Sequence, residues 1–241
     1  MLEKIVRKDF KKVDKNDGVS KVFGYLYGEA SFPIVFDGKK PWGIIDERRL
    51  IKSKLSGDEK VKDFVVGVPK LDATYSLIKA RDRMKKSGTD VIIVTKEGEI
   101  LGYVTAIDIA REGGIDKKAE DLMREVEPIN EDDEIGDAIN LMRKRNERIL
   151  PVLSNKKFAG IIGVRNILKL LTTHEKVTDY HQEKTSLLEA PVKGYMEVGV
   201  KVCSPLEKGE KVVDLVEEQG FAVVCKGKEY MGIIEPADLL K

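Results

Sequence analysis

The chain has 241 residues, 41% hydrophobic and 35% charged, which provides apolar material for packed cores beneath a densely charged surface. Its 43 Lys and Arg balance 42 Asp and Glu to a formal net charge of +1, without the basic excess by which nucleic-acid binders neutralise phosphates. No apolar run reaches the ~18 residues that cross a bilayer, and the start Met1-Leu2-Glu3-Lys4-Ile5-Val6-Arg7 lacks the apolar centre of a secretory signal, so a cytoplasmic protein with neither membrane nor nucleic-acid partner is expected.

The first predicted element is a helix on Val19, Val22, Phe23 and Leu26, with Asp17 as its N-cap. A β-branched strand, Pro33-Ile34-Val35-Phe36, follows, then the turn Asp37-Gly38 and a second strand, Pro41-Trp42-Gly43-Ile44-Ile45. The same order recurs. Val66, Val68 and Pro69 open a strand, Leu77, Ala80 and Met84 mark a helix stopped by Gly88, and Val91-Ile92-Ile93-Val94 turns through Glu97-Gly98 into Ile100-Leu101-Gly102-Tyr103-Val104. A short helix, Ile107 to Glu112, comes next. The third copy has a helix on Ile135, Ala138, Ile139 and Met142 capped by Asp132 or Asp133. Its strands are Leu150-Pro151-Val152-Leu153 and Phe158-Ala159-Gly160-Ile161-Ile162 around Asn155-Lys156, and Asn166 to Leu171 is its second helix. The fourth has Val212, Leu215 and Val216 in a helix ending near Gly220, then Ala222-Val223-Val224-Cys225, Lys226-Gly227 and Tyr230-Met231-Gly232-Ile233-Ile234.

The central glycines lie 59, 58 and 72 residues apart, so the last interval carries an insertion, roughly Thr172 to Pro191. That insertion holds His174 and His181, which on a helix stand ~10 Å apart along the axis, too far to share a metal; they read as exposed linker residues. Cys203 and Cys225 match no multi-ligand zinc spacing and read as small buried residues in strands, with a disulfide between them as the alternative. A strand–helix–strand–strand–helix unit of this size cannot bury both faces of its sheet alone, so units should pair sheet to sheet, first with second and third with fourth.

In four-fold register, this pattern resembles the CBS domain, the repeat named for cystathionine β-synthase and also found in the γ subunit of AMP-activated protein kinase. Its most specific mark is Gly102-Tyr103-Val104-Thr105-Ala106-Ile107-Asp108, which matches the family's glycine, apolar, any residue, Ser/Thr, two residues, Asp. The resemblance implies a stand-alone, archaeal-type chain of α/β class (the α+β CBS-pair fold) in which four βαββα repeats form two pseudo-two-fold modules. The repeats are expected at 1–55, 56–113, 114–173 and, with the linker segment, 174–241. It also implies a regulatory role. An adenine nucleotide or S-adenosylmethionine is the expected ligand, not a catalytic cofactor, and an unidentified regulated protein and a homodimer are the expected partners.

The residues themselves suggest how such a ligand would be held. Thr105 stands where a strand hands over to a helix, so N–H groups, the helix dipole and a hydroxyl favour phosphate there, and Asp108 one turn later is a ribose acceptor. A capping box between the two is the structural alternative, and the readings are compatible. Val68 and Val91 are expected in an apolar slot for the base. In the first copy Asp46 and Arg49 replace Thr and Asp, and Arg48 and Arg49 are candidates to reach phosphates bound by the second, as is Arg111. In the third, Asn166 stands at the Asp place, Gly163 offers N–H groups, and Arg165 and Arg148 add positive charge. The fourth keeps Asp238, but Glu235 stands where phosphate would go and would repel it; an adenosine compound lacking phosphate, such as S-adenosylmethionine or methylthioadenosine, suits that cleft better. No P-loop, HExxH or Gly-x-Ser-x-Gly elbow is present, so no enzyme is expected. The competing reading is a ligand-free scaffold for protein–protein contact.

Overall fold

The computed structural model describes residues 1–27, 32–52, 59–174 and 187–241; His181 and most of the insertion lie outside them. The protein is mixed α/β. Among the described residues there are four small sheets, and each combines one parallel with one antiparallel pairing, the first adding a second antiparallel one through a fourth strand. The first contains β1 (Phe10–Asp14), β2 (Phe32–Asp37), β3 (Lys40–Ile45) and β4 (Val65–Val66); the second, β5 (Lys70–Asp72), β6 (Val91–Lys96) and β7 (Glu99–Thr105). The third contains β8 (Ile129–Asn130), β9 (Ile149–Ser154) and β10 (Lys157–Gly163); the fourth, β11 (Val202–Cys203), β12 (Ala222–Lys226) and β13 (Glu229–Ile234).

Each parallel pair is joined by an amphipathic helix: α1 (Ser20–Tyr27), α3 (Leu77–Ser87), α6 (Ile135–Arg145) and α8 (Gly209–Gln219). Gly88 and Gly220 close α3 and α8 in the left-handed conformation, at φ 66° and 83°, where a Cβ would be strained. After each hairpin come α2 (Glu47–Lys52), α4 (Ala106–Gly113), α7 (Val164–His174) and the 3-10 turn Pro236–Leu240; α5 (Ala119–Leu122) precedes the third sheet. The expected aspartate caps are not formed. The Asp17 carboxylate accepts from the Asp14 N–H and Lys21, and that of Asp133 from the Asn130 N–H, so both close turns ahead of their helices.

The sheets pack face to face in two pairs. Ile34 and Phe36 of β2 meet Val91, Ile93 and Tyr103 of the second sheet, and the rings of Phe32 and Tyr103 stack at 4.5 Å. Val152 and Ile161 likewise share a core with Val223, Cys225 and Ile233. Helices join the pairs: α2 packs on α6 and α7, and α4 on α8 and the terminal 3-10 turn. The helical faces that two separate modules would present to a partner are thus covered within one chain. Cys203 and Cys225 belong to different cores, on opposite sides of their sheet, and both thiols are free, which removes the disulfide alternative.

The recurring glycine has a steric cause. The stretch leading into each unit first crosses its partner's glycine strand: Arg7 bridges to Tyr103, Val66 to Ile44, Arg124 to Ile233 and Glu197 to Ile161. A Cβ on Gly102 would lie 2.0 Å from the Arg7 carbonyl oxygen, on Gly43 2.1 Å from that of Val66, on Gly160 2.3 Å from that of Glu197 and on Gly232 2.8 Å from that of Arg124. Only glycine admits the crossing backbone. The crossing also corrects the expected opening strand of the second copy: Val66 is paired in the first sheet, and β5 begins at Lys70.

Candidate functional site

Four strand-to-helix corners, one from each unit, converge on a cavity of about 680 Å³. In three of them the side chain six residues after the glycine turns back onto the backbone. Asp108 Oδ2 accepts from the Thr105 N–H (2.8 Å) and hydroxyl (2.7 Å), Asn166 Oδ1 from the Gly163 N–H (2.9 Å), and Asp238 Oδ2 from the Glu235 N–H (2.9 Å). In the first corner Arg49 has no carboxylate to offer, and its guanidinium donates instead to the Val65 carbonyl at 2.8 Å. The capping arrangement foreseen for Thr105 and Asp108 is therefore present.

Thr105, Val91, Arg48, Arg148, Arg165 and Asn166 line the cavity. Asp108, Val68, Arg49, Arg111 and Asp238 are not among its lining residues. Asp108 is held on its other oxygen by Arg7, with Nε at 2.8 Å and Nη2 at 2.7 Å, and Arg7 in turn reaches Glu217 of α8 at 3.3 Å. Val68 is buried in the core between the first two sheets. Arg111 is half-exposed and pairs with Asp214 at 3.1 Å and with Glu217. Lys241 pairs with Asp238 at 3.0 Å.

The lining has two chemistries. Between the first two sheets, Phe32, Pro33, Ile44, Val66, Val91 and Tyr103 form an apolar crevice. Burial pushes the Tyr103 phenol up to about 12, so it remains a hydroxyl and donates to Asp9 at 3.3 Å. Elsewhere along the lining, charged groups from separate units interlock. Arg165 of α7 reaches Glu47 of α2, with Nε at 2.9 Å. The Glu235 carboxylate, only 5% exposed, sits among Arg148 at 2.7 Å, Arg48 at 3.6 Å and Arg124. Burial alone would raise its pKa, but Arg148, Arg124 and Arg48 outweigh that and bring it down to about 2. Burial likewise works against the charge of Arg148, yet Glu235, Glu47 and Asp90 hold its pKa above the usual arginine value.

Arg48 is less well satisfied. Among the described residues its nearest carboxylates are Glu235 at 3.6 Å and Asp46 at 3.9 Å, and its buried Nε has no hydrogen-bond partner. Arg7, Arg124 and the Glu47–Arg165 pair escaped the sequence reading, because the contacts Arg7–Asp108, Arg124–Glu235 and Glu47–Arg165 span 101, 111 and 118 residues and no local pattern marks them. Among the described residues no three His, Cys, Asp or Glu side chains gather as a metal site, and no helix is long and apolar enough to cross a membrane.

The model of the CBS domain matches residues 2–56, 61–114 and 119–173, which leaves the fourth unit outside its matches. Uncharacterized protein MJ1404 of Methanocaldococcus jannaschii is 27% identical over 264 residues; the alignment covers 100% of this chain and 61% of that protein, so the chain spans under two thirds of this relative's length. Among solved structures, protein MJ1225 of the same organism, whose name proposes it as an archaeal homologue of γ-AMPK, superposes with a TM-score of 0.82 at 18% identity, covering 98% of this chain and 97% of that one. An uncharacterized conserved protein from Pyrococcus horikoshii superposes with a TM-score of 0.65 at 19% identity, covering 99% and 97%. These likenesses establish a shared fold. Since the matched segments span more than half of its residues, the chain belongs to the CBS domain family.

Proposed function

We propose that the chain is a regulatory module of four CBS repeats, at 1–55, 56–113, 114–173 and 174–241, that binds an adenosine-containing ligand and passes its state to a protein partner. The fourth repeat rests on its order of strands and its buried Gly232 under the crossing Arg124, both shared with the other three, and on its Glu235–Asp238 corner, shared with the second and third.

One observation carries the ligand reading: a cavity that is apolar and aromatic at one end leads to arginine side chains at the other, with a donor of Arg48 unpartnered. A purine needs an apolar slot with a few fixed polar groups, and phosphates need charged donors. The base would lie against Val91 and Tyr103, the ribose toward Asp108, and the phosphates toward Thr105 and Arg48. Ribose hydroxyls would have to share or displace Arg7 on Asp108 Oδ1, which couples this corner to Glu217 of the fourth repeat.

The test is a thermal-shift series with AMP, ADP, ATP, S-adenosylmethionine and methylthioadenosine. A ligand confined to the folded state adds about 2.7 kcal/mol of stability at a hundred times its Kd. The shift should vanish in Asp108→Ala and shrink in Arg48→Gln. A second reading has its own support: Arg7 already fills Asp108, and Glu235 already fills the arginine cluster. A protein satisfied in this way from within serves as a scaffold for partners, and absence of any shift across the series would favour that reading.

A further inference from the structure

We propose that Glu235 is a resident anion that occupies and closes an oxyanion-binding site built by Arg48, Arg124 and Arg148. The site draws on three separate parts of the chain. Arg48 lies on α2, Arg124 on the stretch that crosses β13, and Arg148 at the entry to β9. Their guanidinium groups converge on two carboxylate oxygens: Arg148 Nε holds Oε1 at 2.7 Å, and Arg124 and Arg48 Nη2 (3.6 Å) meet at Oε2. Guanidinium groups grouped in this way are the donor set that recognises phosphate oxygens. Here a side chain from the fourth unit fills it, leaving Glu235 95% covered.

The carboxylate does not satisfy all three arginines equally. Arg124 has further partners in Glu147 at 2.7 Å and Asp238 at 3.5 Å, so it keeps counter-charges if Glu235 is neutralised. Among the described residues Arg48 has only Asp46 at 3.9 Å besides Glu235, and its Nε is buried without an acceptor. Arg148 has the field of Glu47 and Asp90 but, among the described residues, no other ion pair within 4 Å. Removing the Glu235 charge therefore leaves Arg48 and Arg148 short of an anion at the edge of a cavity large enough to admit one. In the intact protein the same charge excludes a second anion from that position.

The probe is inorganic pyrophosphate, which has the oxyanion chemistry and no base or sugar, so the outcome does not depend on the adenosine reading. Binding is measured by calorimetry at low ionic strength for wild type, Glu235→Gln and Glu235→Asp. Glu235→Gln should bind about tenfold or more tightly than wild type. Glu235→Asp, whose carboxylate is withdrawn by one methylene from Arg48, should fall between them. In buffer without multivalent anions, Glu235→Gln should melt below wild type and be restored by pyrophosphate more than wild type is. Equal pyrophosphate affinity and equal thermal response in wild type and Glu235→Gln overturn the proposal. If Glu235→Gln folds only with pyrophosphate present, the proposal stands; if it folds in neither condition and Glu235→Asp binds no better than wild type, it fails.

Discussion

Replacing Gly102 with alanine tests the account of the repeat most directly. The added Cβ would stand 2.0 Å from the Arg7 carbonyl oxygen and 2.7 Å from a Val6 methyl. A carbon and a carbonyl oxygen settle at about 3.3–3.6 Å, so the crossing strand must retreat by more than ~1 Å. The paired bonds Arg7 N–H to Tyr103 O (2.9 Å) and Tyr103 N–H to Arg7 O (3.0 Å) cannot survive that movement. Their loss costs about 1 kcal/mol each, and loosening the contacts of Leu2 and Val6 adds roughly 1–2 kcal/mol more. Alanine's lower backbone entropy in the unfolded chain offsets about 0.5–1 kcal/mol, leaving a net destabilisation of about 3 kcal/mol. Gly232→Ala meets the Arg124 oxygen at 2.8 Å, so a smaller retreat of ~0.5 Å relieves it and about 1 kcal/mol is expected. Urea unfolding followed by far-UV circular dichroism gives both values from the midpoint at unchanged slope. A Gly102→Ala midpoint at or above that of Gly232→Ala would refute the steric reading.

The remaining predictions concern the charged centre and the cores. A carboxyl whose folded pKa lies below its unfolded one stabilises above the unfolded value, and the contribution disappears as pH falls through the folded value. With Glu235 at about 2 against 4.5, roughly 3 kcal/mol should be lost between about pH 5 and 2; Glu235→Gln should lack that component in urea titrations across the range. Burial pushes the thiols of Cys203 and Cys225 up to about 11, so neither should react with a thiol reagent at pH 8 until denaturant unfolds the chain, and rapid native labelling would contradict their burial. Met142 is fully buried in the core shared by the first and third sheets, so Met142→Ala should lower stability by about 2–5 kcal/mol in the same urea assay.

Much of the fold was legible because it is local. Ile135, Ala138, Ile139 and Met142 all enter the core from one face of α6, and Gly88 and Gly220 stop their helices where the apolar spacing ends. The recurring Gly43, Gly102, Gly160 and Gly232 could be seen as a pattern, but their cause could not. The crossing residues Arg7, Val66, Glu197 and Arg124 carry no motif, and their placement depends on the pairing of whole sheets. The two aspartate caps failed for a related reason, since a carboxylate ahead of a helix can close a turn with the chain before it as readily as cap the helix after it. At the site, Arg48, Thr105 and Arg165 reach the cavity from the corners after the first three glycines, and Arg148 reaches it from ahead of β9. The charge on Glu235 was visible as an obstacle to phosphate, whereas its pairing with Arg48, Arg124 and Arg148 was not. Arg124 lies 111 residues away from it and Arg148 lies 87, distances over which only the folded core fixes proximity.

The crossing strands also change what counts as a separable part. Each sheet receives its final cover from residues that a linear division would assign to its neighbour: β4 falls beyond residue 56 yet completes the first sheet, and Leu2–Arg7 roof the second. Cutting between neighbours in a pair would strip both of a roof at once. Duplication, deletion or grafting should therefore succeed by twos, and a single excised copy should expose an apolar seam and aggregate.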